Sequence, residues 1–361
     1  MKEKAFKYKQ IVSPMNEHFD PNGPGLKNNN FIGLPFDLER ANLVLLPVPW
    51  DVTVSYQAGT STGPENIRQA STQLDLMHPI APQAWKKGIY FAPENIYWRK
   101  RNEELRPKAK SYINFIESGG KIAAQKAMQN ILEEVNYSCT SLCNWVEAET
   151  TALLQQDKII GLIGGDHSSP LGYLKALGKQ YPSFGILQID AHMDLRAAYE
   201  GFTYSHASIF HNVMSLTSVS KLVQVGIRDY CQAEWEYVQQ HSNKVEVFFD
   251  TTLKENQFKG LNWHQQCMQI IASLPDLVYI SFDIDGLEVS YCPNTGTPVP
   301  GGLSFEQACY LLTQLHHSGK KIIGFDICEV AGSGHEWDAN VGARMTYHLS
   351  CLSILSKFGS T

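Results

Sequence analysis

From residue 42 onward the chain alternates short apolar runs with longer amphipathic stretches. Apolar runs of five or six residues are typical of buried strands, and the amphipathic stretches are typical of helices. Strands that alternate with helices predict a parallel sheet covered by helices on both faces. The predicted strands are Leu43–Val48, Ile159–Ile163, Phe184–Ile189, Leu222–Ile227, Val245–Phe249, Leu277–Phe282 and Ile322–Ile327. The predicted helices are Pro170–Lys179, Asn262–Ser273, Phe305–His317 and Val341–Leu355.

Two segments do not follow this alternation of strands and helices. Residues 1–40 are polar and rich in Asn, Gly and Pro, which predicts an N-terminal extension that packs on the outside or frays before a single domain over residues 41–361. Within residues 80–157, aromatic side chains and the basic cluster Arg99-Lys100-Arg101 precede a helical pattern that begins at about Lys108. We interpret the basic cluster as a solvated turn or a subunit contact.

Composition and charge narrow the class of protein. Of 361 residues, 43% are hydrophobic and 18% are charged, which is enough apolar material for a large core. The net charge of −6 and the absence of a basic stripe argue against nucleic acid or an anionic membrane as partner. No apolar run approaches the roughly 18 residues of a membrane helix, and none follows the N-terminus as in a secretory signal. Eight scattered cysteines without a Cys-x-x-Cys pair indicate small buried side chains and a cytoplasmic location.

Three predicted strands end in polar clusters. Ligands of open parallel sheets bind at the carboxyl ends of the strands, so these clusters are candidate site residues. The clusters are Gly164-Gly165-Asp166-His167-Ser168, Asp190-Ala191-His192-Met193-Asp194 and Ser281-Phe282-Asp283-Ile284-Asp285-Gly286. Six of their side chains are potential metal ligands, namely His167, Asp190, His192, Asp194, Asp283 and Asp285.

The spacing within these clusters indicates a metal site. Asp190, His192 and Asp194 alternate, and alternate side chains of an extended strand share one face. Two carboxylates and an imidazole that converge in an apolar setting repel each other and lose hydration, a cost that a divalent cation removes.

The number of ligands indicates two ions. Six ligands exceed the four of a structural zinc site and suit two ions that share carboxylates. Oxygen-rich ligation favours Mn²⁺, and the two histidines leave Ni²⁺, Co²⁺ or Fe²⁺ open. Since two adjacent ions lower the pKa of a water molecule between them, the residues indicate a binuclear metallohydrolase.

The three clusters resemble the signatures of the arginase/agmatinase (ureohydrolase) family. Further similarity lies in the loop 294–304, in the strand 324–330, and near the start in 48–51 and 63–68. The resemblance covers residues 42–356. It implies a three-layer α/β/α fold with a central, mostly parallel eight-stranded sheet, and a catalytic domain over residues 41–361.

The resemblance also implies a reaction and a set of roles. The six potential ligands occupy the positions that hold two Mn²⁺ ions, and the reaction is hydrolysis of a guanidino compound to urea and an amine. Glu329 matches the carboxylate that pairs with the substrate guanidinium, a flat fork of donors that a carboxylate accepts bidentately. His206 matches a histidine that passes a proton to the leaving amine. The family further implies a homo-oligomer, a trimer or a hexamer.

Two departures from the arginases concern the substrate tail. Arg196 stands where arginases have an Asn that recognises the α-carboxylate, and Cys231 stands where they have an Asp that binds the α-amino group. Agmatine is therefore the first expectation for the substrate. Arg196 would repel this dication unless Glu200 compensates, so 4-guanidinobutyrate stays open, as do guanidine and arginine. The residues also leave open formiminoglutamate hydrolysis, a metal-dependent deacetylase of the same fold and a non-catalytic relative.

Overall fold

In the computed structural model, which describes residues 19–332 and 336–359, eight strands form one sheet in which all neighbouring strands are parallel. The strands are β1 (Leu43–Val48), β2 (Ile89–Phe91), β3 (Ile159–Gly164), β4 (Phe184–Ile189), β5 (Val219–Ile227), β6 (Val245–Phe249), β7 (Leu277–Asp283) and β8 (Lys321–Cys328). Their order across the sheet is β2-β1-β3-β8-β7-β4-β5-β6.

Ten α-helices accompany this sheet in the described part of the chain. They are α1 (Gly63–Ala70), α2 (Ile96–Glu117), α3 (Lys126–Gln155), α4 (Leu171–Gln180), α5 (Ile209–Val213), α6 (Gln232–Gln240), α7 (Asp250–Phe258), α8 (Trp263–Ala272), α9 (Phe305–His317) and α10 (Glu336–Phe358).

The helices cover both faces of the sheet because successive strand residues point to opposite sides. Leu43 and Leu45 of β1 pack in one core with α1, α8, α9 and α10, whereas Val44, Leu46 and Val48 pack in a second core with α2, α3 and α4. The six central strands are buried on both faces over most of their length, as the continuous hydrophobic runs predict. The structure confirms the predicted three-layer architecture with an eight-stranded sheet.

The segment between β1 and β3 holds the main differences from the predicted elements. The three-residue strand β2 was not predicted, because so short a run carries no pattern. The basic cluster does not lie in a turn, since Arg99, Lys100 and Arg101 belong to the first turns of α2. There Arg99 pairs with Glu94, and Arg101 lies 3.0 Å from Glu134 of α3. Helix α2 begins well before Lys108 and ends at Glu117.

The described part of the N-terminal segment contributes to the core. Phe31, Ile32 and Leu34 are buried beside β1 and β2. The Asn30 amide donates to the Ile89 carbonyl and accepts from the Phe91 N–H. Residues 1–18 of the predicted extension lie outside the described residues.

Two smaller expectations concern cysteines and membranes. Cys139 and Cys143 lie one turn apart on α3 and are both buried, as expected, and all eight cysteines are free thiols. Within the described ranges, no helix is both long and apolar enough to cross a membrane.

Candidate metal centre

The polar clusters meet at the carboxyl edge of four neighbouring strands, β3, β8, β7 and β4. His167 follows β3, and Asp190, His192 and Asp194 follow β4. Asp283 ends β7, and Asp285 lies in the short 3₁₀ turn after it. Glu329 follows β8. Because the chain visits these strands in the order β3, β4, β7 and β8, residues far apart in sequence become neighbours at one edge.

A first group of side chains surrounds the Nδ1 atom of His167. This nitrogen lies 3.0 Å from Asp190 Oδ2, 3.1 Å from Asp194 Oδ2 and 3.3 Å from Asp283 Oδ2. All four side chains are almost fully buried. Three carboxylates and one imidazole nitrogen thus converge on one small volume.

A second group lies beside the first and shares Asp190 with it. His192 Nδ1 lies 3.2 Å from Asp285 Oδ2 and 3.5 Å from Asp190 Oδ1. Asp190 therefore turns one oxygen toward each group, as a carboxylate that bridges two ions must. The structure brings all six predicted ligands together, in two adjoining sets.

The convergence has a different cause from the one expected. Strand β4 ends at Ile189, so Asp190, His192 and Asp194 lie on a loop and their positions do not follow the strand alternation. Asp194 has a left-handed backbone, with φ of 55°. Gly286 packs so closely that a Cβ there would lie 2.7 Å from the Asp190 backbone nitrogen, which explains the glycine at the end of the third cluster.

Hydrogen bonds behind the first group fix the tautomer of His167. Its Nε2 lies 2.9 Å from the Ser281 hydroxyl, which itself donates to Asp326 Oδ2 at 2.7 Å. Since the Ser281 proton is directed to Asp326, the hydroxyl accepts from Nε2–H. The lone pair of Nδ1 is then free to face the three carboxylates, as in metal-bound histidines.

A second chain of amides positions Asp190. The Gln188 amide donates to Asp190 Oδ2 at 2.8 Å and to the His192 carbonyl at 3.0 Å. Gln224 in turn donates to Gln188 Oε1 at 2.6 Å. Burial disfavours the ionised form of Asp190, but the adjacent imidazoles of His167 and His192 outweigh it and lower the pKa of this carboxyl. Asp190 is thus held as an oriented anion between the two groups.

The chemistry of this donor set fits divalent cations. Burial, together with the charge of Asp190, raises the pKa of Asp194 to about 7, and burial beside Asp285 raises that of Asp283 well above its usual value. His167 Nδ1 and Asp285 Oδ2 are buried without a hydrogen-bond partner in the described residues. Since unpaired buried acceptors and repelling carboxylates are costly, cations between them would stabilise the arrangement. These residues could hold two metal ions.

A pocket of about 250 Å³ opens above the second group. Of the predicted site residues, His192, Asp194, Arg196 and His206 line it. The remaining lining residues are Ser55, Tyr56, Tyr199, Ala207, Asp229, Tyr230, Glu234, Thr297, Pro298 and Val299. The pocket is large enough for a small elongated molecule with one end over the metal-binding groups.

His206 lies in the pocket wall and is neutral near physiological pH. Burial, with the charges of His192 and Arg106, lowers the pKa of its imidazole to about 3. Its Nε2 lies 3.5 Å from the Ser55 hydroxyl, and its Nδ1 is buried with no partner in the described structure. The unpaired nitrogen is therefore available to a polar group of a bound molecule.

Arg196 reaches into the pocket and does not point away into solvent. Its guanidinium lies 4.7 Å from the centre of the Tyr199 ring, and its Nε lies 3.8 Å from Glu234 Oε2. The Glu234 carboxylate also accepts from the backbone N–H groups of Leu195 and Cys231. Cys231 itself is the N-cap of α6 and does not line the pocket.

Glu329 lies deeper than the pocket wall. Its Oε1 accepts from the His167 N–H at 2.9 Å, while its Oε2 is buried without a partner in the described chain. Burial, with the charge of Asp166, raises the pKa of this carboxyl well above its usual value. A Cβ placed on Gly296 would lie 2.9 Å from Oε2. The free oxygen therefore faces the loop after β7, next to the first group.

Several residues that complete this site are not among the predicted site residues. Ser281, Asp326, Gln188 and Gln224 orient the metal-binding groups. Their signal is a polar side chain within an otherwise apolar strand, because such a residue is buried only where it has a partner. Glu234 carries a different signal, since a Glu three residues after an N-cap position predicts a capping box.

Comparisons with known proteins agree with this geometry. A sequence model of the Arginase family matches residues 41–351. The N(1)-aminopropylagmatine ureohydrolase of Thermus thermophilus is 29% identical over 313 residues, which are 86% of this chain and 89% of the relative. The agmatinase of Neisseria meningitidis serogroup C is 28% identical over 332 residues, covering 90% and 92%.

A solved structure shows the same fold. The agmatine ureohydrolase of Thermoplasma volcanium superposes with a TM-score of 0.69 at 22% sequence identity, over 92% of this chain and 97% of that one. The family match spans most of the chain and includes all the residues of the two groups of candidate metal ligands. The chain belongs to the arginase family.

Proposed function

We propose that this arginase-family hydrolase of C–N bonds in guanidino compounds acts on agmatine, releasing urea and the diamine. The observation that carries the proposal is the pair of metal-binding groups that share Asp190 beneath the pocket. Relatives named agmatinase and aminopropylagmatine ureohydrolase, at 28–29% identity, support a substrate with a cationic tail.

We assign two divalent ions to the six predicted ligands. His167, Asp190, Asp194 and Asp283 would hold one ion, and Asp190, His192 and Asp285 the other. Four carboxylates and two imidazoles favour Mn²⁺, with Ni²⁺ and Co²⁺ as alternatives. Bound ions of this kind polarise a water molecule and lower its pKa toward neutrality.

Glu329 would receive the guanidinium of the substrate. Its unpaired Oε2 is an acceptor inside an enclosed site, where a charge-assisted hydrogen bond is strong. Because the carboxyl is buried near Asp166 and Asp285, its raised pKa would fall when a guanidinium pairs with it. The carboxylate would thus hold the reacting carbon beside the metal-binding groups.

His206 would move the proton that the leaving amine requires. Water adds to the guanidinium carbon, the bond from that carbon to the tail nitrogen breaks, and the tail nitrogen must gain a proton. His206 would accept the proton released by the attacking water and pass it to the departing amine, a role that requires its pKa to rise from about 3 toward neutrality in the substrate complex. His206 lines the same pocket as Ser55 and as His192 of the second group, which supports this role.

The charges around the pocket favour a cationic tail. Apart from Asp194, three charged side chains line the pocket, namely Arg196, Asp229 and Glu234. Arg196 lies near Glu234, which offsets its charge, whereas Asp229 is exposed at the pocket wall. The net charge of this outer region is therefore negative.

One observation favours a second substrate. The two terminal nitrogens of Arg196 donate no hydrogen bond within the described residues, and the guanidinium is directed into the pocket. A guanidinium fork that is free in this way could bind a carboxylate. A substrate with a distal carboxylate, such as 4-guanidinobutyrate, is the alternative to agmatine.

The test is urea release from agmatine, 4-guanidinobutyrate and L-arginine by Mn²⁺-loaded and Ni²⁺-loaded protein. We expect agmatine to have the highest kcat/KM and arginine to fall by about 10²-fold, because its amino-acid end lacks partners. If 4-guanidinobutyrate is preferred and Arg196→Ala erases that preference, the second candidate is correct. Arg344→Ala, a change at an exposed arginine of α10, is the matched control. Efficient arginine hydrolysis that is unaffected by Arg196→Ala would refute both.

A further inference from the structure

The loop between β1 and α1 touches both sides of the reaction site. Its residues Ser55 and Tyr56 line the pocket, and the Ser55 hydroxyl lies 3.5 Å from Nε2 of His206. Two residues later, the Gln57 N–H donates to the Gly296 carbonyl at 3.2 Å. Gly296 is the residue that Oε2 of Glu329 faces. The position of this loop therefore sets the surroundings of His206 and of Glu329 together.

Helix α2 holds the first half of the loop with four hydrogen bonds. Asn102 Oδ1 accepts from the Asp51 N–H at 2.7 Å, and Asn102 Nδ2 donates to Asp51 Oδ1 at 2.8 Å. One turn later, Arg106 Nη1 donates to the carbonyls of Val52 at 3.0 Å and Val54 at 2.6 Å. Residues four apart lie on the same helix face, so both side chains grip one loop from one side.

The other half of the loop is tied back to the same carboxylate. Asp51 Oδ2 accepts from the Gly59 N–H at 2.8 Å and from the Ser61 N–H at 3.3 Å. Asp51 is 2% exposed, so these bonds are shielded from water. Residues 51–61 thus form a closed loop. The side chain of Asp51 ties the two ends of the loop together, and α2 holds its first half.

Arg106 is an unusual group to place here. In the described structure its guanidinium has no carboxylate within ion-pair distance, and its buried Nε has no hydrogen-bond partner. A partly buried cation that is paired only with two carbonyls costs desolvation energy. Both hydrogen bonds that it makes go to backbone carbonyls just before the pocket residue Ser55.

We propose that Asn102 and Arg106 are positioning residues of the reaction, which hold the 51–61 loop so that Ser55 faces His206. The inference rests on the proposed role of His206. The four hydrogen bonds from Asn102 and Arg106 are called the 51–61 clamp below. A displacement of about 1 Å in such a contact can cost up to 10²-fold in rate, so loss of the clamp should lower turnover more than it weakens substrate binding.

The test compares Arg106→Met, Arg106→Lys and, as matched control, Lys110→Met, which removes an exposed charge from the same helix. We expect Arg106→Met to speed hydrogen exchange in peptides covering residues 51–61 and to lower kcat for agmatine roughly 10-fold, with little change in KM or metal content. Arg106→Lys retains a donor and should recover part of kcat. Adding Ser55→Ala to Arg106→Met should cause little further loss, because both act through one contact.

Two outcomes overturn the positioning role, namely unchanged exchange in residues 51–61 or unchanged kcat in Arg106→Met. If Arg106→Met does not fold, the test uses Asn102→Ala. This variant keeps the Arg106 guanidinium and removes the two hydrogen bonds between Asn102 and Asp51. It must then show both faster exchange in residues 51–61 and lower kcat. A wild-type protein that releases urea from no guanidino compound would instead refute the proposed function. In that case the exchange measurement still reports whether the clamp exists.

Discussion

Asp194 and Glu329 share a backbone conformation that side chains other than glycine rarely adopt. Their φ angles are 55° and 63°, in the left-handed region, at a cost of about 1–3 kcal/mol each. Neighbouring bonds maintain both conformations. The Asp194 carbonyl accepts from the Phe210 N–H, and the Glu329 N–H donates to the Gly165 carbonyl at 2.8 Å. These bonds hold both carboxylates in a fixed direction at the edge of the sheet.

The metal assignment predicts that a change at Asp190, the ligand shared by both groups, removes bound metal and activity. Asp190→Asn removes a negative charge from both groups, so we expect fewer than two divalent ions per chain and no measurable turnover, while the fold survives. Asp283→Asn should behave in the same way. Metal content by elemental analysis and urea release are the measurements, and Asp276→Asn, at the opposite end of β7, is the control. Full activity with one ion or none would contradict a binuclear centre.

The loss of kcat that we expect for a change at His206 is smaller than that for a change at a metal ligand. His206→Ala should lower kcat by about 10²-fold or less, because general acid–base catalysis is worth about 10²–10⁴-fold and water substitutes in part. The metal content should not change, since His206 belongs to neither metal-binding group. His211→Ala, five residues later on α5, should leave kcat unchanged. If His206→Ala loses a metal ion, the residue is a ligand and the proposed role is wrong.

A histidine pair outside the site predicts a pH effect on stability. His78 Nε2 lies 2.9 Å from His348 Nδ1, and burial, with the charge of His78, lowers the pKa of His348 to about 4. Between pH 6.5 and about 4 the unfolded chain therefore binds a proton that the folded chain does not. The free energy of unfolding should fall as pH drops through this window, by up to about 1.4 kcal/mol per pH unit.

Urea denaturation across that pH range measures the effect of the histidine pair. His348→Asn should show a shallower fall than the wild type, although its stability at pH 7 is lower because a buried contact is lost. His264→Asn, at an exposed histidine of α8, should retain the wild-type slope. Equal slopes in wild type and His348→Asn would show that the pair does not titrate in this way.

At the scale of elements, the strands and helices with a clear period could be predicted from the sequence. Helix α9 has the predicted bounds, Phe305–His317, because a Ser304–Gln307 capping box marks its start and Gly319 follows its end. The strand β2 and the start of α2 could not be predicted. β2 is too short to show a pattern, and the first turns of α2 carry bases whose partners lie on other elements.

The same limit applies to the site. The six candidate metal ligands could be listed from the sequence because they form three compact motifs. Their division into two groups could not be predicted, since it depends on which strands are neighbours in the sheet. The 51–61 clamp was missed for that reason as well. Asp51 and Asn102 are far apart in sequence, and only the packing of α2 against the loop after β1 shows that they pair.

The contact between β8 and α4 predicts a change in stability. A Cβ on Gly324 would lie 2.0 Å from the Tyr173 hydroxyl, so Gly324→Ala forces the two elements apart and should cost about 1–3 kcal/mol. Tyr173→Phe frees that space but loses the hydroxyl bond to the Ile160 carbonyl. The double variant should therefore be more stable than the sum of the two losses predicts, as urea denaturation would show. Additive losses would mean that the backbone shifts elsewhere.

At the scale of the whole molecule, function is confined to one edge of the sheet. Charged groups gather at the carboxyl ends of β3, β8, β7 and β4, while both faces of the sheet are occupied by apolar packing. Several large apolar side chains outside the pocket remain exposed, among them Ile96 and Tyr97 at the start of α2, with exposed fractions of 69% and 64%.

We expect these residues to contribute to a homo-oligomer, a trimer or a hexamer. Ile96 and Tyr97 are exposed neighbours at the start of α2, and exposed apolar groups that lie together favour association. Light scattering at micromolar concentration should give a mass of three or six chains. The paired change Ile96→Ser and Tyr97→Ser should shift it toward the monomer, whereas Phe258→Ser, at an exposed residue of α7, serves as the control. A monomeric wild type would contradict the expected assembly, and an unchanged mass in the paired variant would place the subunit contact elsewhere.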